Sequence, residues 1–530
     1  MSNKTLAIRG VLFAWASHLV AIGVAFFVTP VLLRGLGAER YGIWSIVMAL
    51  TGYYGVVNMG IGKANVKYLA QFNAVGDADA ERRVISTAFV IFSLLALGLV
   101  VLAAGAAWLF PLVFDLGRYS AERARLVVFV VGLKVATELV AQVFHAALIA
   151  RKRFDLSNLV LIGNLAATGI LCVLVVRSGG GLVEMALVVV FAAVAVGMAK
   201  WALATRLLGV PRPRPSLARR DTAGMLFGFG LFELVIQLAR RFSTYGGGII
   251  LGILAGPAAV AYYSVAESLT RRSVGLGKGV SGVVMPFASQ FDAEGDRHAM
   301  RRMVILSVRV LLALGLLLAV GIVILGRPFL RHWIGEDIAV HVYPVICILA
   351  AAVAVKLPSN GLQAALTGMG RMRFLSGVAM AEGTLILGLG IVLATLYGAV
   401  GMAWAVLAAQ AVFSGGTIAS YASRNLGLPL RRLAVQAAFP AALATVPAVV
   451  VGWWLVAHCS AVSLWQVMGQ IVAVAGIGAL SCFFICLDGD ARAVALRCLL
   501  PRTVRVPGTG ASAQAISSAR PAAGCVTPDK

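Results

Sequence analysis

The chain has 530 residues, of which 60% are hydrophobic and 12% are charged. A typical soluble domain has roughly 45–50% apolar and about 25% charged residues, so this composition excludes an ordinary soluble fold and indicates a membrane protein. The formal net charge is +24. In a soluble protein such a charge would suggest nucleic-acid binding, but in a membrane protein it must first be compared with topology.

The chain contains fourteen apolar runs that can cross a bilayer as helices, each crossing needing about 20 residues. They lie near residues 10–33, 41–62, 84–110, 125–149, 156–176, 182–205, 223–254, 258–287, 303–326, 340–368, 375–397, 399–421, 434–457 and 464–486. The first run is too long to be a cleaved signal peptide. The sequence therefore predicts an all-α integral membrane protein with about 14 transmembrane helices. Four prolines inside the runs predict local breaks in these helices, at Pro30, Pro286, Pro358 and Pro440.

Lys and Arg are concentrated in alternate connections. One set comprises the N-terminus, the C-terminal tail and the loops that follow every second span, whereas the opposite set holds only Arg34, Arg40, Arg118, Arg123, Arg125, Arg177, Arg327 and Arg331. Cytoplasmic loops carry the excess of these residues. We therefore expect a multi-pass protein of the bacterial inner membrane with both termini in the cytoplasm. Most of the net charge reports this orientation and gives no reason to expect nucleic acid as a partner.

The chain also contains an internal repeat. Residues 71–77 read QFNAVGD and residues 290–296 read QFDAEGD, at an offset of 219, and each is followed by an Arg pair. The offset covers six spans, an even number, so the two copies run in the same direction and are related by an axis along the membrane normal. The expected domains are a six-helix bundle over 1–210, a second bundle over 211–425, helices 13 and 14 over 426–490, and a disordered cytoplasmic tail over 491–530.

Charged side chains inside the spans are expensive, so they usually face a cavity or the interior of a bundle. Four acids occur there, at Glu138, Glu233, Glu267 and Glu382. Eight cations occur there, at Lys134, Arg240, Arg241, Arg271, Arg272, Lys278, Arg309 and Lys356. Because Arg309 lies near a span end, it can reach the interface. The other seven are the candidate substrate-binding residues.

Pairing is the alternative interpretation of these charges. Lys134 could pair with Glu138, Glu233 with Arg240 or Arg241, and Glu267 with Arg271, since each pair is spaced for one helix face. Yet the cations outnumber the acids, and a buried unpaired cation needs a counter-anion. Phosphate suits Arg because the guanidinium fork donates two parallel hydrogen bonds. The excess therefore predicts an anionic substrate.

Proton or ion coupling has four candidate residues: His18, Glu138, Glu233 and Glu267. A lone histidine such as His18 more often hydrogen-bonds within a core than titrates. The seven cysteines show no spacing typical of metal ligands. No metal and no cofactor are expected.

Several short motifs resemble those of a known family. They are the first hairpin, Gly35-Leu36-Gly37-Ala38-Glu39-Arg40-Tyr41-Gly42-Ile43-Trp44, the end of the second span at Gly60, the repeated Gly-Asp loop, and Pro286 just before its second copy. In these features helices one to twelve look like the polysaccharide-exporter flippases of the multidrug, oligosaccharidyl-lipid and polysaccharide exporter superfamily. The resemblance implies alternating access between two bundles. It also implies an undecaprenyl-pyrophosphate-linked oligosaccharide as substrate, moved from the cytoplasmic to the periplasmic leaflet for polysaccharide biosynthesis.

Two other transport functions remain open within the superfamily, a lipid II flippase and a cation-coupled drug exporter. The drug exporter would typically have twelve spans and membrane-embedded acids, whereas this chain has fourteen spans and an excess of cations. An enzyme acting on lipid-linked sugars would need acids or a sizeable outer loop, so a transporter is favoured over an enzyme. The expected partners are the anionic lipid-linked substrate, membrane lipid, and polysaccharide polymerase or export machinery.

Overall fold

The computed structural model describes residues 3–54, 56–459, 462–487, 489 and 492. Within its helices, the side chains of most of residues 3–15, of 53–60, of 228–244 and of several residues between 273 and 281 are outside the description. Most of the described residues are helical, and none of them lies in a strand. The helices are α1 (Asn3–Tyr54), α2 (Val56–Val75), α3 (Ala78–Val113), α4 (Ala121–Ala150), α5 (Phe154–Arg177), α6 (Leu182–Ala202), α7 (Arg220–Leu254), α8 (Gly256–Glu294), α9 (Arg297–Ile334), α10 (Glu336–Gly368), α11 (Met372–Gln410), α12 (Ala419–Leu426), α13 (Leu430–His458) and α14 (Leu464–Ile485). The predicted all-α membrane fold is confirmed.

Two of these helices contain two membrane crossings each. Ten stretches of the described residues are long and apolar enough to span a membrane. Two of the stretches bend at a glycine with positive φ, Gly37 (φ 78°) in α1 and Gly398 (φ 55°) in α11. Glycine adopts such angles at little cost because it has no Cβ. A π-helical segment, Ala411–Ile418, joins α11 to α12 and completes the twelfth crossing. Divided at the two bends, the ten stretches correspond to twelve of the fourteen apolar runs, and helices α7 and α8 cover the other two runs.

The predicted helix breaks at proline are wrong. Helices α1, α8, α10 and α13 continue through Pro30, Pro286, Pro358 and Pro440. A proline removes one hydrogen bond, and neighbouring helices and local backbone adjustments compensate for it in membrane proteins. Inside α1 and α11 the backbone leaves the helical region at Gly37 and Gly398 and not at a proline.

The two ends of the helical assembly differ in charge and in packing. The basic end is the end with the Lys- and Arg-rich connections, which include residues 151–153 and 208–219. The far end is the opposite end, which includes Gly37 and Gly398. At the far end one hydrophobic core joins both halves of the repeat, with Leu33 and Ile46 from the first and Leu251 from the second. At the basic end there are two separate cores, one built mainly from α2, α3 and α4 together with Leu226 of α7, and one built within the second half and the start of α13.

The two halves meet closely at the far end. Ser264 on α8 donates a hydrogen bond to Ser45 on α1, with 3.1 Å between the hydroxyl oxygens. These residues are 219 apart, the same offset as the repeated loop, so each is the repeat equivalent of the other. A residue that contacts its own equivalent lies on the symmetry axis. Nearby, Gly42 lies against the carbonyl of Pro257 with no room for a side chain.

Helices α13 and α14 pack outside the two halves, against α9. Leu325 of α9, Ala448 of α13 and Val474 of α14 form a small shared core, and Gly478 lies against Leu317. The connection between the halves lies along α3, since the amide of Arg214 donates to the Ser86 hydroxyl at 3.0 Å. The domain boundaries at 210, 425 and 490 stay predictions, and the predicted tail over 491–530 lies, except for residue 492, outside the described residues.

Candidate functional site

Charged side chains on α4 occupy the middle of the first half. Lys134 forms an ion pair with Glu138 one turn later, with 3.0 Å between Nζ and Oε2. Further along the same helix, the ring of His145 hydrogen-bonds to the Ser157 hydroxyl of α5 at 3.0 Å. The Lys134–Glu138 pairing that the spacing allows is therefore present. In this conformation the ammonium of Lys134 is compensated by a carboxylate.

A second group of charges lies on α8, just toward the basic end from the shared far-end core. Arg271 pairs with Glu267 one turn earlier at 2.6 Å, and its guanidinium lies 5.6 Å from the centre of the Tyr245 ring. Arg272 points in another direction and donates from Nη1 to the carbonyl of Ala21 on α1, at 3.0 Å. No described carboxylate lies within ion-pair distance of Arg272. This guanidinium bridges the two halves of the repeat.

His18 lies one turn from this bridge. A Cβ built on Gly275 of α8 would be 3.3 Å from Nε2 of His18. Helices α1 and α8 therefore approach closely here because Gly275 has no side chain. The hydrogen bond of Arg272 and the contact of His18 form one polar seam between the halves, which we call the α1–α8 seam (His18, Ala21, Arg272 and Gly275).

The third group of charges is inside the second half. The ammonium of Lys356 on α10 contacts both carboxylate oxygens of Glu382 on α11 at 2.9 Å, and the Ser414 hydroxyl of the π-helical segment at 3.1 Å. Glu382 is buried, with 8% of its surface exposed. The spacing of charges along the sequence gives no partner for Glu382. Its partner lies on a different helix, so helical spacing could not reveal the pair.

Four of the proposed site residues lie on described helices, but their side chains are outside the described part of the structure: Glu233, Arg240 and Arg241 of α7 and Lys278 of α8. The structure therefore leaves their roles as predictions. Among the described residues, no group of three or more His, Cys, Asp or Glu side chains could hold a metal ion.

Pairing reduces the expected surplus of positive charge. Of the four candidate cations with described side chains, Lys134, Arg271 and Lys356 have carboxylate partners. Arg309 donates to the backbone carbonyls of Gln436 and Cys486 at 2.9 and 3.2 Å, away from α1. In the described site the uncompensated cation is Arg272, and it lies at the α1–α8 seam rather than inside either half.

The fold is similar to that of several solved membrane transporters. A MATE family multidrug transporter of the MOP superfamily, in an inward-facing conformation, shares 13% sequence identity with this chain at a TM-score of 0.66, over 78% of this chain and 99% of that one. The lipid II flippase MurJ in an inward closed conformation also shares 13% identity, at a TM-score of 0.69, over 92% of this chain and 99% of its own. A MOP superfamily transporter from Pyrococcus furiosus, described as having a binding pocket of reversed polarity, has 12% identity and a TM-score of 0.56, over 81% of this chain and 99% of its own. At these identities the likeness concerns the fold.

The family follows from the sequence. The profile of the polysaccharide biosynthesis protein family matches residues 7–292, more than half of the chain. The protein belongs to this family, and its fold is that of the MOP superfamily transporters. No curated protein matches the chain significantly.

Proposed function

We propose that this protein translocates an undecaprenyl-pyrophosphate-linked, anionic oligosaccharide across the bacterial inner membrane by alternating access. The observation that carries the proposal is Arg272, an intramembrane guanidinium at the seam between the two halves with a backbone carbonyl as its partner. Family membership supports a role in polysaccharide biosynthesis. The basic end would be cytoplasmic, with both termini there, and the substrate would pass to polymerase or export machinery outside.

The hydrogen bond of Arg272 suggests how binding and opening are connected. When α1 and α8 separate, the guanidinium loses the Ala21 carbonyl at 3.0 Å. A half-buried guanidinium within the membrane keeps its charge and needs a replacement partner. The pyrophosphate of the substrate offers oxygens that accept two parallel hydrogen bonds from it. In the open state, the hydrogen bonds from Arg272 to the substrate would then replace the hydrogen bond to Ala21 that stabilises the closed state.

The neighbouring charges have supporting roles in this proposal. Arg271 is held between Glu267 and the Tyr245 ring, so it can turn toward an anion only by leaving a carboxylate. Proton coupling through His18, Glu138, Glu233 or Glu267 stays a proposal. Two alternatives remain, a lipid II flippase and a cation-coupled drug exporter. MurJ, a lipid II flippase, and a multidrug resistance MATE transporter have a similar fold, which supports keeping both alternatives.

Deleting the gene tests the substrate class. We expect a lipid-linked oligosaccharide to accumulate on the cytoplasmic leaflet. Accumulation of lipid II would favour the lipid II flippase, whereas sensitivity to cationic drugs without any lipid-linked intermediate would favour the drug exporter. Each of those results would contradict the oligosaccharide proposal.

A substitution tests the site. Arg272→Gln removes a charge-assisted contact of about 1.5–3 kcal/mol, so we expect export to fall about tenfold or more at equal protein in the membrane. Arg272→Lys keeps the charge without the fork and should retain part of the activity. Arg309→Gln is the matched control, because it removes another intramembrane guanidinium that contacts backbone carbonyls away from the seam. Full export by R272Q would refute the role of Arg272.

A further inference from the structure

A charged cleft lies at the far end, outside both the α1–α8 seam and the interior of the halves. It has a volume of about 280 Å³ and lies between the end of α9, the start of α10 and the α13–α14 hairpin. Arg327, Arg331 and His332 line it on one side, and Val456, Cys459 and Gln470 line it on the other. The transport proposal uses none of these residues.

The cleft carries more positive charge than the rest of the far end. Only eight of the 45 Lys and Arg residues of the chain belong to far-end connections, and three of them converge at this corner. Arg34 donates to the carbonyls of His332 and Trp333 at 3.1 and 3.0 Å, which satisfies the end of α9. Arg327 and Arg331 are one turn apart on α9 and repel each other. Such a pair is stabilised by an anion between the two guanidinium groups.

The anion present in the chain itself binds them weakly. Glu336 is 3.4 Å from Arg327 and 3.3 Å from Arg331, longer than the 2.7–2.9 Å typical of charge-assisted hydrogen bonds. Both Arg side chains remain more than 60% exposed. Each guanidinium has five N–H donors, so most of the donors in the cleft are available to a ligand.

The residues around the cleft indicate which kind of ligand would bind there. The α13–α14 hairpin that forms its outer wall exposes Trp453, Trp454 and Trp465 near the same end. Exposed tryptophans are typical of the membrane–water interface, where lipid headgroups lie. Val456 adds an apolar surface beside the guanidinium pair. A phosphodiester attached to acyl chains fits this combination of a cationic pocket and an apolar wall.

We propose that this cleft binds the phosphate headgroup of an anionic phospholipid from the far-end leaflet. Arg327 and Arg331 hold the phosphate oxygens, and the carboxylate of Glu336 bridges the two side chains when no lipid is bound. The lipid would connect α9 to the α13–α14 hairpin, which packs on α9 through a small apolar core. This role is independent of the transported substrate.

The test measures lipid retained by the purified full-length protein in detergent. The protein is mixed with phosphatidylglycerol or phosphatidylcholine, and bound lipids are counted by native mass spectrometry. We expect one phosphatidylglycerol to be retained in preference to phosphatidylcholine. The double variant Arg327→Gln and Arg331→Gln should weaken its binding about tenfold or more. Glu336→Gln removes the competing carboxylate and should strengthen binding.

The matched control is the double variant Arg118→Gln and Arg125→Gln, which removes two exposed far-end charges elsewhere and should leave retention unchanged. Equal retention by the wild type and the R327Q/R331Q variant would overturn the proposal. Inorganic phosphate is added as a competitor. If it displaces the lipid at equal concentration, the cleft takes free phosphate and the lipid assignment is wrong.

Discussion

Removing the carboxylate of Glu382 is expected to destabilise the protein more than removing Glu382 and Lys356 together. The ammonium of Lys356 has two carboxylate oxygens at 2.9 Å and one hydroxyl at 3.1 Å. Breaking a buried ion pair by removing one partner costs about 3–5 kcal/mol, because a buried charge is left without compensation. Since the side chain of Lys356 is 23% exposed, we expect Glu382→Leu to cost about 3 kcal/mol, near the lower end of that range.

The opposite single variant should cost less. Lys356→Met leaves the buried carboxylate of Glu382 without its hydrogen-bond donor, and a buried acceptor left unsatisfied costs about 1–3 kcal/mol. The double variant K356M/E382L buries two apolar side chains of similar volume, and such replacements are often neutral. Ser414→Ala removes one hydrogen bond to a charged group and should cost about 1.5 kcal/mol.

Thermal unfolding of the purified protein in one detergent, at one scan rate, measures this order. The apparent Tm should fall most for E382L, less for K356M and S414A, and least for the double variant. A double variant that is as destabilised as E382L would refute the reasoning, since it would show that side-chain shape, rather than the uncompensated ammonium, determines the loss.

Two further predictions concern the contacts between the halves. The double variant Ser45→Cys and Ser264→Cys should form a disulfide on oxidation, because the two hydroxyls are 3.1 Å apart. The disulfide should stop export, and reduction should restore it. Unchanged export by the oxidised protein would contradict opening at the far end. Gly275→Leu should lower export by holding α1 and α8 apart, since even a Cβ there would be 3.3 Å from His18. Gly282→Leu on the same helix, where a Cβ meets nothing within 4 Å, is its control, and equal export by the two variants would rule out a steric effect.

The sequence predicted the helical membrane fold because apolar length is a strong signal. Fourteen apolar runs and a repeated loop were enough to predict the crossings and their parallel arrangement. The positions of the bends were harder to predict from the sequence. Helix α1 continues through the expected first loop and bends at Gly37. Backbone angles of a single glycine depend on the packing of both crossings, which hydropathy does not report.

The charged site was predicted only where partners share a helix. Lys134 with Glu138 and Arg271 with Glu267 are four residues apart, and both pairs are present. Lys356 pairs with Glu382 across two helices, so its partner depends on how α10 rotates against α11. The hydrogen bond from Arg272 to the Ala21 carbonyl could not be predicted from the sequence either. Every residue has a backbone carbonyl, so residue spacing does not indicate which carbonyl accepts.

The hydrogen bond between Ser45 and Ser264 has an evolutionary consequence. A residue that meets its own repeat equivalent belongs to an isologous surface, of the kind that joins identical subunits in a twofold dimer. The chain therefore carries, within one polypeptide, the interface that a symmetric dimer of half-length subunits would use. The matching segments Ala146-Ala147-Leu148 of α4 and Ala364-Ala365-Leu366 of α10 are 218 apart, which makes Glu138 equivalent to Lys356. Covalent linkage thus frees the two copies to diverge away from the axis. A homodimer could not acquire that opposition, because each substitution would occur in both of its subunits.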